Sequence, residues 1–594
     1  MNTAAIVHIS AYPYVYLAES NRLVVKLQCA RKDIRSCVIH YFARTAPETV
    51  RSKALRVLYR DAEHDYFMAE LLFHRRARYQ KYYFELADEE ETLYLSAYGI
   101  SAGVPDNGYF EFLYSNDADI ISTPAWSRGQ IFYQIFPERY CNGNRRNDPP
   151  DTVPWGTAPT RDNYMGGDLQ GIIDRLDYLS GLGVECLYLN PIFTADFNHK
   201  YATTDYFSVD PQFGTGRELK ELVERAHSRG IRIVLDGVFN HTGIHFPPFQ
   251  DVLLHQEESR YRHWYLIDRS PATVSHQDYE CVGAYKYMPK LNTSNAEVRE
   301  FVWKVIEYWI REYNIDGWRL DVADEVADSL WTMIRTRLKA EYPEALLLGE
   351  TWGPGYRLMN GMEMDSVMNY VFRDAVRDYI ALGVIGADGF EARMGRMLSD
   401  YPRVMNQSMF NLLDSHDTER FRFLCGEDRA KFVLGLVVLM MFEGSPSVYY
   451  GDEIGMTGAN DPDCRRCMKW DEAGQDRELL VLYRQLLEIR KTYSCVRTGQ
   501  TAFVYSSERL VAFTRFDEET EVVTVINAGN TEEIIAVPVM KGGRYRGLYN
   551  ASKRCELSSE VPGDAHNSDM WKYQAVLKLS VRPGEAQIIS TDRR

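Results

Sequence analysis

Residues 317–325 read GWRLDVADE, and a polar helix ending (Arg311, Glu312, Tyr313) leads into them through Ile315 and Asp316. The stretch reads as a short strand with an Asp at its end and a helix beginning beyond. Arg319 and Asp321, two residues apart, project from one face of such a strand. A neighbouring cation keeps a carboxylate ionised, which a nucleophilic carboxylate needs. One Arg–Asp pair alone is better explained as a tie between strands. Three other strand-like segments, however, also end in polar groups. IRIVLDGVF (231–239) holds Asp236 and runs into Asn240 and His241; ALLLGET (345–351) ends at Glu350, with Trp352 after it; SMFNLLDS (408–415) leads to His416 and Asp417. Carboxylates at Asp321, Glu350 and Asp417 beside an Arg point to glycoside chemistry. In that chemistry one carboxylate attacks the anomeric carbon, and a second, kept protonated, protonates the leaving oxygen. No Ser–His or Cys–His nucleophile pairing and no Gly-rich phosphate loop is evident.

Such groups meet only if the chain brings these segment ends together. From residue 129 onward, short apolar segments alternate with amphipathic helical ones. The strands expected are QIFYQIFP (130–137), VECLYLNPI (184–192), 231–239, DGWRLDVA (316–323), 345–351, DSVMNY (365–370), 408–415 and PSVYYGDE (446–453), with helices such as 169–183, 217–230 and 295–314 between them. Eight strand–helix units predict a (β/α)8 TIM barrel, whose chemistry sits at the C-terminal strand ends. The connection 241–292 is too long for a plain loop and predicts an inserted functional subdomain. Residues 1–121 read as all-β, with alternation in NRLVVKLQC (21–29), 57–73 and 79–97. STPAWSRG (122–129) is a linker, and strands return after about 497. The expected order is an N-terminal β-sandwich (1–121), the barrel (122–496) and a C-terminal β-sandwich domain (497–594).

Composition narrows the partners. At 45% hydrophobic and 26% charged residues with a net charge of −16, the chain is an ordinary globular one for which a nucleic-acid or anionic-membrane partner is not expected. MNTAAIVHIS has no basic region followed by an apolar one, and KFVLGLVVLMMFEG (431–444) is too short for a membrane span. With no signal and 10 scattered Cys, a cytoplasmic protein with reduced thiols is expected. Cys464 and Cys467 form a CxxC without a second pair, so they read as free thiols.

These motifs also carry a family pattern. DGVFNH (236–241), GWRLDVADE, GETW (349–352) and LLDSHD (412–417) resemble, in order, the four main conserved stretches of the α-amylase superfamily of glycoside hydrolases (family 13). MPKLN (288–292) resembles the stretch that marks its neopullulanase, cyclomaltodextrinase and maltogenic amylase group. The resemblance covers essentially the full length. It implies hydrolysis of α-1,4 bonds in cyclodextrins, pullulan, starch and malto-oligosaccharides, with some transglycosylation. It implies Asp321 as nucleophile, Glu350 as acid and base, and Asp417 holding and distorting the sugar. Arg319, His241, His416 and the stacking Tyr201 would hold the sugar under attack, with Glu325 and Trp352 on the leaving-group side. It also implies a homodimer in which the N-terminal domain packs on a partner's site. Asn142, Asn144, Asn147, Asp148, Gly166 and Asp168 lie in turn-rich loops; alone they read as Asx turns, but the resemblance implies structural Ca2+ on these hard oxygen donors. Three features depart from the group: Asn144 where an acidic residue is sometimes found, Asp324 where Asn is usual, and the segment 353–365 after Trp352. An α-glucosidase or oligo-1,6-glucosidase would typically lack the extra N-terminal domain, and a non-catalytic carbohydrate-binding scaffold would be marked by loss of a carboxylate.

Overall fold

The structure is a computed structural model that describes residues 1–268, 272–551, 555, 557–558 and 573–591. The insertion at 241–292 and the C-terminal domain at 497–594 each include residues outside these. Eight parallel strands close into a barrel: β1 (Phe132–Ile135), β2 (Cys186–Leu189), β3 (Arg232–Gly237), β4 (Gly317–Leu320), β5 (Leu346–Gly349), β6 (Ser366–Asn369), β7 (Phe410–Asn411) and β8 (Ser445–Tyr449). Each falls within or overlaps an expected strand. They are short because a barrel strand needs only a few ladder residues before its polar end turns out into a loop. Every residue of β4, β5 and β8 is buried, as parallel strands covered on both faces require.

The helices follow their sequence signals. Gly216–His227 starts with a capping box of Thr215 and Glu218, and Ala296–Tyr313 starts at the Asn295 cap and stops at left-handed Asn314. Residues 431–441 of the apolar 431–444 run lie in helix Arg429–Met441, nearly all of them buried. The expected helix 169–183 is two helices, Leu169–Asp174 and Leu176–Leu182. They part at Arg175, whose backbone leaves the helical region and whose guanidinium sits 4.1 Å over the Trp470 ring.

The N-terminal residues form nine strands in one continuous sheet folded over its own core. Strand Arg51–Arg60 makes the crossing: Arg51–Leu55 pair with Ser36–Ala43, and Arg56–Arg60 pair with His64–Leu72. This domain is fastened to the barrel. Buried Lys26 donates to the Ser399 carbonyl at 2.8 Å, and Arg396 donates to the Tyr66 hydroxyl at 2.9 Å. Gly395 lies so close to the Arg60 carbonyl that a Cβ would collide with it. After helix Ser494–Thr498 the described residues form a five-stranded and a three-stranded sheet around a third core.

Candidate active site

Register places the first contacts. Asp236 on β3 stands directly opposite Arg319 on β4, so the Arg319 guanidinium meets Asp236 at 2.9 and 3.1 Å. Two residues on, Asp321 continues the ladder through its N–H to the Gly237 carbonyl and accepts from the same Arg319 nitrogen at 2.8 Å. The other guanidinium nitrogen lies 2.9 Å from Glu350, just beyond β5. One fully buried cation therefore faces three buried carboxylates. Arg319 is not reserved for Asp321, as the isolated sequence motif suggested; its double contact is with Asp236. Burial pushes both Asp236 and Asp321 up from the ordinary carboxylate range, and Arg319 opposes it.

Glu350 takes a hydrogen bond from the Val322 N–H at 2.8 Å. That N–H is aimed by a left-handed backbone at Val322 (φ 44°, ψ 46°), an uncommon conformation for a β-branched residue. It stands between Asp321 and the short turn Ala323–Glu325, so strain is stored beside two candidate catalytic carboxylates.

Asp417 joins them from the loop after β7. Burial and the neighbouring Glu350 charge push its carboxyl up to about 7, against Arg465 and Arg319. Arg465 holds Asp417 at 3.3 Å and the His416 carbonyl at 2.8 Å. His416 is buried, with Gln134 donating to Nδ1 at 2.8 Å and its Nε2 2.6 Å from the Tyr201 hydroxyl. Burial, first of all, holds it well below the usual imidazole value, so it is neutral. The Tyr201 ring stacks on it at 5.5 Å and its hydroxyl donates to Asp236 at 2.9 Å. His241, pushed down to about 4 by burial, has Nε2 3.0 Å from the Tyr201 carbonyl. Its Nδ1 has no partner among the described residues, which leaves an acceptor for a ligand hydroxyl.

Above these groups opens a cleft of about 610 Å³, lined by Asp321, Glu350, Asp417, Tyr201, His241 and Trp352 among others. Trp352 is half exposed and stacks on Tyr370 at 4.4 Å, leaving one face outward. Val282, Tyr285, Tyr287 and Met288 of the insertion form part of the rim. Arg319 and His416 lie under the floor rather than on it. Glu325 stands outside the cleft lining, exposed and paired with Lys290 at 2.8 Å. Sequence reasoning assigned no role to Arg465, Tyr188 (2.6 Å to Asp236) or Gln134. The only signal for Arg465 was a pair of arginines inside the CxxC, read there as thiols. Both cysteines are buried, and no cluster of three metal-binding side chains occurs among the described residues.

The oxygen-rich loop is assembled in part. Asn142 donates to Asp148 at 2.8 Å, and Gly166 packs where any Cβ would strike both. The side-chain oxygens of Asn142 and Asn147 are buried without a partner among the described residues. With Asp148 they make a hard donor set that fits a Ca2+ ion. Asp168 is differently employed: its oxygens accept from the N–H groups of Gly143, Asn144 and Gly171, capping helix Leu169–Asp174. The Asn144 side chain accepts from Arg146 N–H at 3.3 Å.

Comparison with known proteins agrees with this geometry. Residues 134–476 match the α-amylase catalytic domain, and residues 1–116 match the α-amylase N-terminal Ig-like domain. A cyclomaltodextrinase of Bacillus sp. is 44% identical over 76% of this chain and 83% of its own, and neopullulanase 2 of Thermoactinomyces vulgaris is 39% identical over 99% of both. A solved cyclomaltodextrinase structure superposes with a TM-score of 0.92 at 36% identity, covering 100% of both chains. With the closed barrel, its Ig-like N-terminal domain and the carboxylates at its strand ends, these matches establish that the chain belongs to the α-amylase family of glycoside hydrolases.

Proposed function

We propose that the protein is a retaining hydrolase of α-1,4-glucosidic bonds in cyclodextrins, pullulan, starch and malto-oligosaccharides, with some transglycosylation. The observation that carries this is the grip of one guanidinium on both Asp321 and Glu350 at the cleft floor. Two carboxylates on one guanidinium suit the separation of about 5–5.5 Å used by retaining enzymes, rather than the wider gap of inverting ones. Asp321 attacks the anomeric carbon while Glu350 gives its proton to the departing oxygen. Glu350 then takes a proton from water, which releases the sugar from Asp321 with its α configuration restored. Asp417 and the free His241 nitrogen accept hydrogen bonds from the bound sugar's hydroxyls, and Tyr201 offers it a ring face.

The test is hydrolysis of β-cyclodextrin and soluble starch side by side, with products resolved by size and the first anomer read by NMR. Faster opening of the ring, to maltose and glucose in the α form, is expected. First products in the β form would refute the mechanism, and cleavage of maltose or isomaltose alone would favour an α-glucosidase or oligo-1,6-glucosidase.

Asn142, Asn147 and Asp148, with Asn144, Gly166 and Asp168 shaping the loop, would hold a structural Ca2+. A homodimer belongs to the same reading, supported by outward apolar side chains on the N-terminal domain such as Tyr98, Val104 and Leu113. Chelation is expected to lower the unfolding temperature by several degrees and to leave a dimer in sedimentation at micromolar concentration; an unchanged temperature removes the ion, and a monomer before chelation removes the dimer. A cytoplasmic location fits as well. No helix among the described residues is long and apolar enough to cross a membrane, and one relative, 37% identical over 89% of this chain and 88% of its own, is the intracellular maltogenic amylase of Bacillus subtilis.

A further inference from the structure

The segment 353–365 after Trp352 touches the turn that carries Asp324. Arg357, in the segment after Trp352, reaches back to the turn after β4. Its guanidinium donates to the Asp324 carbonyl at 2.6 Å and to the Val326 carbonyl at 2.7 Å, and its Nε pairs with Asp328. A planar fork suits two adjacent carbonyls, which a single ammonium cannot serve at once. The turn it holds is the strained one. Val322 opens it, sends its N–H to Glu350 and lines the cleft. The segment carrying Arg357 begins just past Trp352, an exposed ring that also lines the cleft. The segment is itself braced from the N-terminal domain, where the Tyr12 hydroxyl donates to the Met359 carbonyl and Ile121 packs against Gly361.

We infer that Arg357 is a positioning residue that locks together the two cleft walls flanking Glu350 and so sets how well a sugar, rather than water, is accepted in the second half of the reaction. This deepens the proposed retaining mechanism and rests on it. Val322 and Trp352 both line the cleft with Glu350, and an acceptor sugar rests on both. Water needs only Glu350. Loosening the tie therefore weakens capture of the sugar more than attack by water.

The experiment uses 4-nitrophenyl α-maltoside as donor with maltose as acceptor, recording nitrophenol release and the resolved transfer and hydrolysis products. Their ratio is a partition between two fates of one intermediate, so a fraction of misfolded protein cannot change it. In Arg357→Met the ratio of transfer to hydrolysis is expected to fall about fivefold, the scale of losing hydrogen bonds to a half-exposed charged group. Arg357→Lys should fall alike, because it cannot span both carbonyls. Asp328→Asn, which removes only the outer ion pair, should keep the wild-type ratio. The inference is overturned by a wild-type ratio in either Arg357 variant, by an equal fall in Asp328→Asn, or by a wild-type enzyme that releases nitrophenol and makes no transfer product. Failure to release nitrophenol at all would instead count against the mechanism on which the inference rests.

Discussion

Asp321→Asn is expected to lose turnover on β-cyclodextrin by on the order of 10^4-fold or more, the scale seen when a covalent nucleophile is removed. The amide is nearly the same shape as the carboxylate. Its oxygen can still accept from Arg319, which now lies 2.8 Å from the Asp321 carboxylate. It cannot attack an anomeric carbon to leave a glycosyl ester. The fold should survive, because the change removes a charge that burial already disfavours: the Asp321 carboxyl lies well above the ordinary range. Thermal unfolding should therefore stay at or above the wild-type temperature while the rate collapses. Turnover within tenfold of wild type would exclude Asp321 as nucleophile, and a collapse in unfolding temperature would make the lost rate uninformative.

Arg319→Met should do the reverse and strike stability first. The guanidinium is fully buried and faces Asp236, Asp321 and Glu350. Removing it leaves several carboxylates without their counter-charge, a situation that costs about 3–5 kcal/mol. The pH dependence has a definite sign. Asp236 and Asp321 titrate above their unfolded value even with Arg319 present, so between the unfolded and folded values the native state binds more protons than the unfolded one. Stability contributed by these groups is thus present at low pH and falls as pH rises through their folded values. Without Arg319 the folded values rise further. The deficit of the variant in chemical denaturation should be larger at pH 8 than at pH 5. An equal deficit at both would mean that the guanidinium matters through packing alone.

What could be read from the sequence follows from where information is local. Asp321, Glu350 and Asp417 each stand just past an apolar strand segment, and a barrel turns that one-dimensional fact into convergence. The strands themselves were legible for the same reason. Arg465 was not, because its meaning lies in Asp417, forty-eight residues earlier, with helix Arg429–Met441 and β8 in between. Tyr188 read as one more aromatic in an apolar run, although its hydroxyl is aimed at Asp236. The break at Arg175 was hidden because both halves keep helical patterning; at the break the Arg175 guanidinium lies over Trp470. Burial of Arg319 and His416 beneath the floor could not be told from exposure in the cleft, since both positions lie at a strand end. Glu325 is exposed and pairs with Lys290, a partner supplied by the insertion, which no local pattern announced.

The fastening of the N-terminal sheet to the barrel bears on how far this protein can be treated as separable parts. Lys26 reaches into Ser399 and Arg60 sits against Gly395. Tyr12, meanwhile, holds the segment that ends one wall of the cleft. Cutting the chain near residue 121 would therefore bare the face of helix Ala387–Asp400 that Gly395 leaves open for Arg60. It would also unpin a catalytic-side loop from more than one hundred residues away in sequence. For anyone exchanging such domains between relatives, the graft boundary is a surface and not a point in the chain. A donor domain has to bring its own equivalents of Tyr12 and Lys26, or the recipient's selectivity will change along with its stability.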